Sequence, residues 1–245
     1  MTAIVIAYED AYHEELHRLV KALRRDRGLP GLILEAQPVR GTGKFVHDAP
    51  RILRTPLKQT KRPPDRVVCL ADADRPQNLV PGQALPPLQV GAAALAAWIT
   101  ELEAAWRQHL IDKGPLATEQ AGRLSVLCLR WSKESLFTAS PDALLAYAHT
   151  RDRRDPVATV LANCAPPPAT VADADFVVRY RRPDHCLDDV FAALAGRTYK
   201  KGRDDEDLLR DHIIPHEARR AEVLRRCPDL ARLIDMLVPP APAAG

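Results

Sequence analysis

Three apolar runs in this chain end in acid. AIVIAY at 3–8 leads into Glu9 and Asp10, RVVCLA at 66–71 into Asp72, Ala73 and Asp74, and LSVLCLRW at 124–131 into Ser132, Lys133 and Glu134. In an open parallel sheet, ligands collect at the carboxyl ends of the strands, so these are the positions where chemistry is expected. Residues two apart in extended chain face the same side, which aims Asp72 and Asp74 into one pocket that Glu9 can join from a neighbouring strand. Crowded carboxylates repel one another and hold their protons more tightly unless a cation sits between them. An all-oxygen set of this density suits Mg²⁺ or Mn²⁺. A single acid after a strand commonly does no more than cap the following helix; three acidic strand ends on one sheet favour the metal.

Other motifs in the chain compete with this one. A DxD after an apolar strand also occurs in haloacid-type phosphatases and in nucleotide-sugar transferases. The first expects a small hydroxyl or β-branched residue soon after the second Asp, where this chain has Arg75 and Pro76, and the second leaves Glu9 without a task. HEELH at 13–17 matches the HExxH zinc pattern, with two imidazoles at helical spacing and Glu14 between them, but a zincin helix is not normally the first helix of a parallel sheet. GTGK at 41–44 is too short for a phosphate loop and has Phe45 where Ser or Thr belongs, so it reads as a glycine turn before a helix. The five cysteines (Cys69, Cys128, Cys164, Cys186, Cys227) are odd in number and lack CxxC spacing. They read as reduced and structural.

The elements that must position the acids follow from periodicity. After the strand at 3–7, Leu16, Leu19, Val20 and Leu23 fall on one helical stripe that Gly28 and Pro30 end,. LILEA at 32–36 is a second strand, residues 45–57 a helix, and 66–71 a central third strand, giving βαβαβ. A Pro- and Gly-rich loop at 76–87 leads to an alanine-rich helix carrying Leu95, Trp98, Ile99, Leu102 and Trp106, and then to the strand at 124–131. Ser140 and Pro141 are an N-cap and N1 pair. Further helix is expected near 155–163, a break at 165–169, an edge strand at 175–180, charged helix from about 186, a last helix near 228–237 and a disordered tail at 239–245.

With 245 residues, 46% hydrophobic and 27% charged, the chain is an ordinary globular one with enough length for a real core. No apolar run approaches a membrane span, and the N-terminal MTAIVIAYEDAYHEE meets acid before a cleavable signal could form,. A soluble, cytoplasmic protein is expected. Net charge is only +3, but residues 40–66 hold eight Lys/Arg against two acids, a local strip able to meet phosphate.

Taken together, Glu9 and Glu14 in YEDAYHEEL, the strand ending ADAD, the SKESL segment after the next strand, Tyr199-Lys200-Lys201, and Cys227-Pro228 before LARLIDML resemble the Toprim family, and within it the compact OLD-type proteins often encoded beside an ATPase. The resemblance spans most of residues 1–238. It implies a single α/β Toprim-like domain over 1–238, a parallel sheet flanked by helices, with a core of about 1–135, a helical insertion of about 76–120 and a helical C-terminal extension of about 136–238. It also implies a Mg²⁺- or Mn²⁺-dependent nuclease acting through one or two metals. Glu9, Asp72 and Asp74 match the metal-binding acids, and Glu14 and Glu134 the additional acids for a second ion. Lys201, or its neighbour Lys200, matches the basic residue that steadies the scissile phosphate. Asp10 stands where a Gly is usual and Lys133 where a small or apolar residue is commoner. The partners implied are nucleic acid, DNA before RNA, contacted by Lys44, Arg51, Arg54, Lys58 and Lys200, and an ATPase in a defence or repair assembly. Two rival readings are a cleavage-dead Toprim adaptor and a metal enzyme acting on a small phosphate ester or nucleotide sugar.

Overall fold

The structure is a computed structural model that describes residues 3–9, 13–29, 33–38, 45–59, 61, 63–86, 92–114, 116–130, 132–149, 187–188, 190–192 and 196–238. Four strands, β1 (Ala3–Tyr8), β2 (Ile33–Pro38), β3 (Arg66–Asp72) and β4 (Leu124–Leu129), form one sheet in the order β2-β1-β3-β4. Every pairing is parallel. The βαβαβ order expected from periodicity is therefore present, and the chain is an α/β protein whose parallel sheet is flanked by helices.

The two faces of the sheet are built by alternation. Ile4, Ile6, Tyr8, Val68, Leu70, Leu127 and Leu129 face one core, which α1 (Glu14–Asp26), α6 (Pro141–His149), α8 (Glu217–Arg226) and α9 (Pro228–Met236) complete. Val5, Ala7, Val67, Cys69, Ala71, Val126 and Cys128 face the other core, closed by α2 (Phe45–Leu57) and α3 (Ala92–Lys113). Helix α1 buries Leu16, Leu19, Val20 and Leu23 as its spacing requires. It stops at Gly28, whose φ of +63° only glycine adopts freely,. There Gly28 N–H donates to the Arg25 carbonyl and Leu29 N–H to that of Arg24, a Schellman stop.

The segment 76–120 contributes a short 3₁₀ turn (Pro76–Asn78) and α3. The stripe Leu95, Ile99, Leu102, Trp106 and Leu110 is fully buried. Trp106 is thus core, as expected, whereas Trp98 lies half-buried at its edge. The short helices α4 (Thr118–Arg123) and α5 (Ser135–Thr138) flank β4. Beyond them, α7 (Arg203–Asp207) runs into a π-helical turn, Leu208–Ile213, packed on α1 and α6.

β4 ends the strand order, yet its outer edge is not bare. Cys128 N–H donates to the Glu103 carboxylate from α3, Arg130 N–H to Asp229 at the start of α9, and Arg107 donates to the Leu124 carbonyl. Side chains thereby satisfy groups that would otherwise template pairing with another strand. The helix expected at 155–163, the break at 165–169, the strand at 175–180 and the tail lie outside the described residues, as do Cys164 and Cys186. Cys69, Cys128 and Cys227 are free and buried, in keeping with a structural role. Among the described residues no helix is long and apolar enough to cross a membrane.

Candidate functional site

β1 hands the chain to β2 on one side and β3 hands it to β4 on the other, so the crevice between β1 and β3 is the topological switch point of this sheet,. Glu9 stands there. Its N–H continues the ladder onto the Leu70 carbonyl at 3.0 Å, and its carboxylate accepts the Asp72 N–H at 2.9 Å. That second bond ties the end of β1 to the end of β3 and holds the buried Glu9 carboxylate against the Asp72 backbone. A small cleft opens at this point, lined by Glu9, Asp72 and Lys133 over a floor of Tyr8, Leu70 and Leu129.

Asp72 is half-buried, and its carboxyl is pushed well above the ordinary Asp range. Burial is the largest cause, followed by repulsion from Glu9, Glu134 and Asp74, with Lys201 opposing. Acids from all three strand ends therefore act on one carboxyl group. The route for Asp74 differs from the expected one: β3 stops at Asp72, so Asp74 reaches this field from a turn and not as the next same-face residue of a strand. It is half-buried, with Arg75 4.0 Å away.

Glu134 is fully buried. Lys201 Nζ lies 2.8 Å from its Oε1, while Oε2 has no hydrogen-bond partner. A desolvated carboxylate oxygen without a donor is costly unless something satisfies it. Lys201 thus lies where the sequence put it, its ammonium held charged, against the cost of burial, by Glu134 and Asp72.

Sequence reasoning missed two residues of this cluster. Lys133 Nζ forms an ion pair of 2.9 Å with Asp205, the two side chains being 4% and 3% exposed. Asp205 also accepts the Gly202 N–H at 3.1 Å, and Gly202 has φ +91°. Burial, with a contribution from Glu134, pushes the Asp205 carboxyl up to about 6 against the pull of Lys133. Next to it, Asp204 accepts Arg197 through two nitrogens at 2.6 and 2.7 Å, the Tyr147 hydroxyl at 2.8 Å and the Lys200 N–H at 2.7 Å. One aspartate fixes the loop that carries Lys201, and the other grips Lys133. The DD pair at 204–205 had no distinguishing pattern among the acids around it, although Lys133 stood in plain view inside SKESL.

Other expected positions fall elsewhere. Glu14 is exposed at the first position of α1 and is not among the charges that chiefly act on Asp72; it is Glu15 that turns inward, pairing with Arg18 at 2.8 Å. The reason is helical phase, because the stripe that buries Leu16, Leu19 and Val20 carries Glu15 inward and Glu14 outward. The basic strip on α2 is also separated from the acids. α2 runs antiparallel to the strands, and 13 residues span about 20 Å. Arg54 near its end reaches the Lys113 carbonyl, and Arg123, just ahead of β4, reaches the Leu57 carbonyl. Arg54 and Lys58 accordingly sit at the amino ends of the strands, opposite the acids. Arg51 is exposed in mid-helix, with Asp48 at 3.8 Å, and Lys44 lies outside the described residues. Exposed basic side chains at the acid end include Arg75, Lys200, Lys201 and Arg203. The HEELH imidazoles are used around Tyr8: His17 Nδ1 lies 3.0 Å from its hydroxyl, and His13 stacks on its ring at 5.5 Å.

Among the described residues no group of three or more His, Cys, Asp or Glu side chains is arranged to hold a metal ion as it stands. The donor chemistry nevertheless fits a hard cation. Glu9, Asp72 and Glu134 offer only oxygen, Glu134 Oε2 is buried and unsatisfied, and the mutual repulsion on Asp72 is what a divalent ion relieves.

No family model and no curated protein matches the chain. Among solved structures, the C-terminal region of the Burkholderia pseudomallei OLD protein aligns with 98% of this chain and 100% of its own, at 14% identity and a TM-score of 0.38. That likeness is a loose one in overall layout, and no residue role is taken from it.

Proposed function

We propose that this protein is a divalent-cation-dependent nuclease of the Toprim type, OLD-like, hydrolysing phosphodiester bonds in DNA. The observation that carries the reading is the convergence of Glu9, Asp74 and Glu134 on Asp72 at the switch point, with one buried Glu134 oxygen unsatisfied. Glu9, Asp72 and Glu134 would hold Mg²⁺ or Mn²⁺, with Asp74 close by. Such an ion supplies activation of water and stabilisation of the leaving oxygen.

The chain's own groups do the rest. Lys201 brings a charged ammonium to the acids, where it offsets negative charge developing on a phosphate. Lys200 on the same loop and Arg203 at the start of α7, both exposed, are suited to the phosphate backbone,. In this reading the segment Lys200–Arg203, and not the strip on α2, contacts DNA. Glu9, whose carboxylate accepts the Asp72 N–H, links the ends of β1 and β3 across the crevice.

Nicking of supercoiled plasmid in Mn²⁺ tests the reading. Cleavage is expected in wild type and absent in Asp72→Ala and Asp74→Ala, with circular dichroism unchanged. Cleavage that persists in both variants overturns it. DNA binding without cleavage in wild type points to an adaptor, and turnover of a small phosphoester alone to a different enzyme.

A further inference from the structure

Lys201 reaches Glu134 with a side chain that is itself 55% exposed. Packing therefore does little to fix its long, flexible stem, and where the ammonium stands depends on where the backbone is held. That backbone is gripped on both sides. The Lys200 N–H donates to Asp204 at 2.7 Å and the Gly202 N–H to Asp205 at 3.1 Å, two consecutive aspartates that are 0% and 2% exposed. Gly202 turns the chain at φ +91° and ψ −67°, a conformation that a side chain would strain,.

Asp205 does more than hold the turn. Its Oδ2, the oxygen that accepts the Gly202 N–H, also lies 2.9 Å from Lys133 Nζ, and both side chains of that ion pair are buried. Lys133 immediately precedes Glu134, and Gly202 immediately follows Lys201. The contacts thus close a ring, from Lys201 to Glu134 at 2.8 Å, along the chain to Lys133, across to Asp205, and back through Gly202. Both ends of the Lys201–Glu134 pair are referred to one carboxylate oxygen. Resting on the nuclease reading above, we propose that Asp205 is a positioning residue for Lys201. By holding the Gly202 N–H and the Lys133 ammonium on a single oxygen, it sets how far the Lys201 backbone stands from the acidic strand ends. A displacement of about 1 Å at a reacting centre costs on the order of 10²-fold in rate, so closure of the ring acts on kcat through Lys201.

Amide exchange of the metal-free full chain, read residue by residue by NMR, tests the hold, and plasmid cleavage in Mn²⁺ tests its consequence. The Gly202 amide is expected to be protected in wild type and to exchange at least about tenfold faster in Asp205→Ala. In that variant kcat should fall about 10- to 10²-fold. The same substitution made in Lys201→Met should change kcat by less than about twofold, because a residue that acts through Lys201 has nothing left to position. Asp205→Asn can keep an oxygen where Oδ2 stood, since Oδ1 has no hydrogen-bond partner to lose, and should recover most of the rate. Lys133→Met/Asp205→Ala removes the ammonium together with its carboxylate and should give the same readings as Asp205→Ala, which keeps the test open if the single substitution does not fold. Equal Gly202 exchange in wild type and Asp205→Ala, an undiminished further loss in the Lys201→Met background, or Asp205→Asn no faster than Asp205→Ala overturns the proposal and leaves the nuclease reading standing. No cleavage by wild type overturns both.

Discussion

Replacing Asp204 by Asn tests whether the loop bearing Lys200 and Lys201 is held by charge. Asp204 is 0% exposed and takes donors from Arg197, Tyr147 and the Lys200 N–H. Asn keeps the shape, removes the charge and turns an amide donor toward a cluster made of donors. Deleting one partner of a buried ion pair costs about 3–5 kcal/mol. Arg197 is 26% exposed and recovers some hydration, which lowers the expectation to about 2–3 kcal/mol. At about 2–4 °C per kcal/mol for a chain of this size, the melting temperature should fall by roughly 5–10 °C. Thermal unfolding followed by circular dichroism at pH 7 measures it. The pH dependence supplies a second check. Burial works to raise the Asp204 carboxyl, but the bonds from Arg197, the Lys200 N–H and Tyr147 outweigh it, and the group is held below the ordinary Asp range. A depressed carboxyl contributes its full stabilisation above the unfolded-state value of about 3.9 and loses it as pH falls through the folded one. The gap between wild type and Asp204→Asn should therefore be constant from pH 7 to 5 and close in stronger acid. A fall of less than about 1 °C, or a gap equally wide in strong acid, refutes the argument.

Three further outcomes are expected. Asp205, pushed up to about 6, binds its proton more tightly in the folded chain than in the unfolded one. Metal-free wild type should thus lose on the order of 3 kcal/mol as pH rises from about 4 to 6, a slope absent in Asp205→Asn when urea midpoints are compared. Lys201→Met leaves buried Glu134 without its ion pair, so the metal-free protein should melt earlier and recover with Mn²⁺, while cleavage kcat falls about 10²–10³-fold; unchanged melting and cleavage would refute the role given to Lys201. Glu103→Ala strips the acceptor from Cys128 N–H and the partner from Arg232, 2.5 Å away. It should cost about 2 kcal/mol in urea unfolding and raise self-association in light scattering by baring the β4 edge.

The sheet was legible because its strands are apolar runs buried on both faces and its helices carry one stripe each, and both patterns are local in sequence. The acidic strand ends were legible for the same reason: once a run is recognised as a parallel strand, topology alone sends its last residue to the ligand edge. Glu9, Asp72 and Glu134 needed no more than that. Glu14 is carried outward because acids one residue apart on a helix point about 100° apart, and the sequence spacing from Glu9 says nothing about the phase with which α1 meets the sheet. The placement of Arg54 and Lys58 away from the acids was not legible because charge density along a chain carries no information about which end of a sheet an antiparallel helix delivers it to.

Lys133 and Asp205 are a different kind of omission. Each alone reads as an ordinary charged residue, and they are separated by a stretch that is largely outside the described residues. Only the fold makes them partners, and burial then gives the pair its meaning. Two opposite charges withdrawn from water are weak evidence for stability, since apolar residues of the same volume usually do as well. Their position at a ligand edge, beside a fully buried glutamate with an unsatisfied oxygen, is better explained by electrostatics than by stability. Such a pair sets the net charge that this edge of the sheet presents to whatever approaches it.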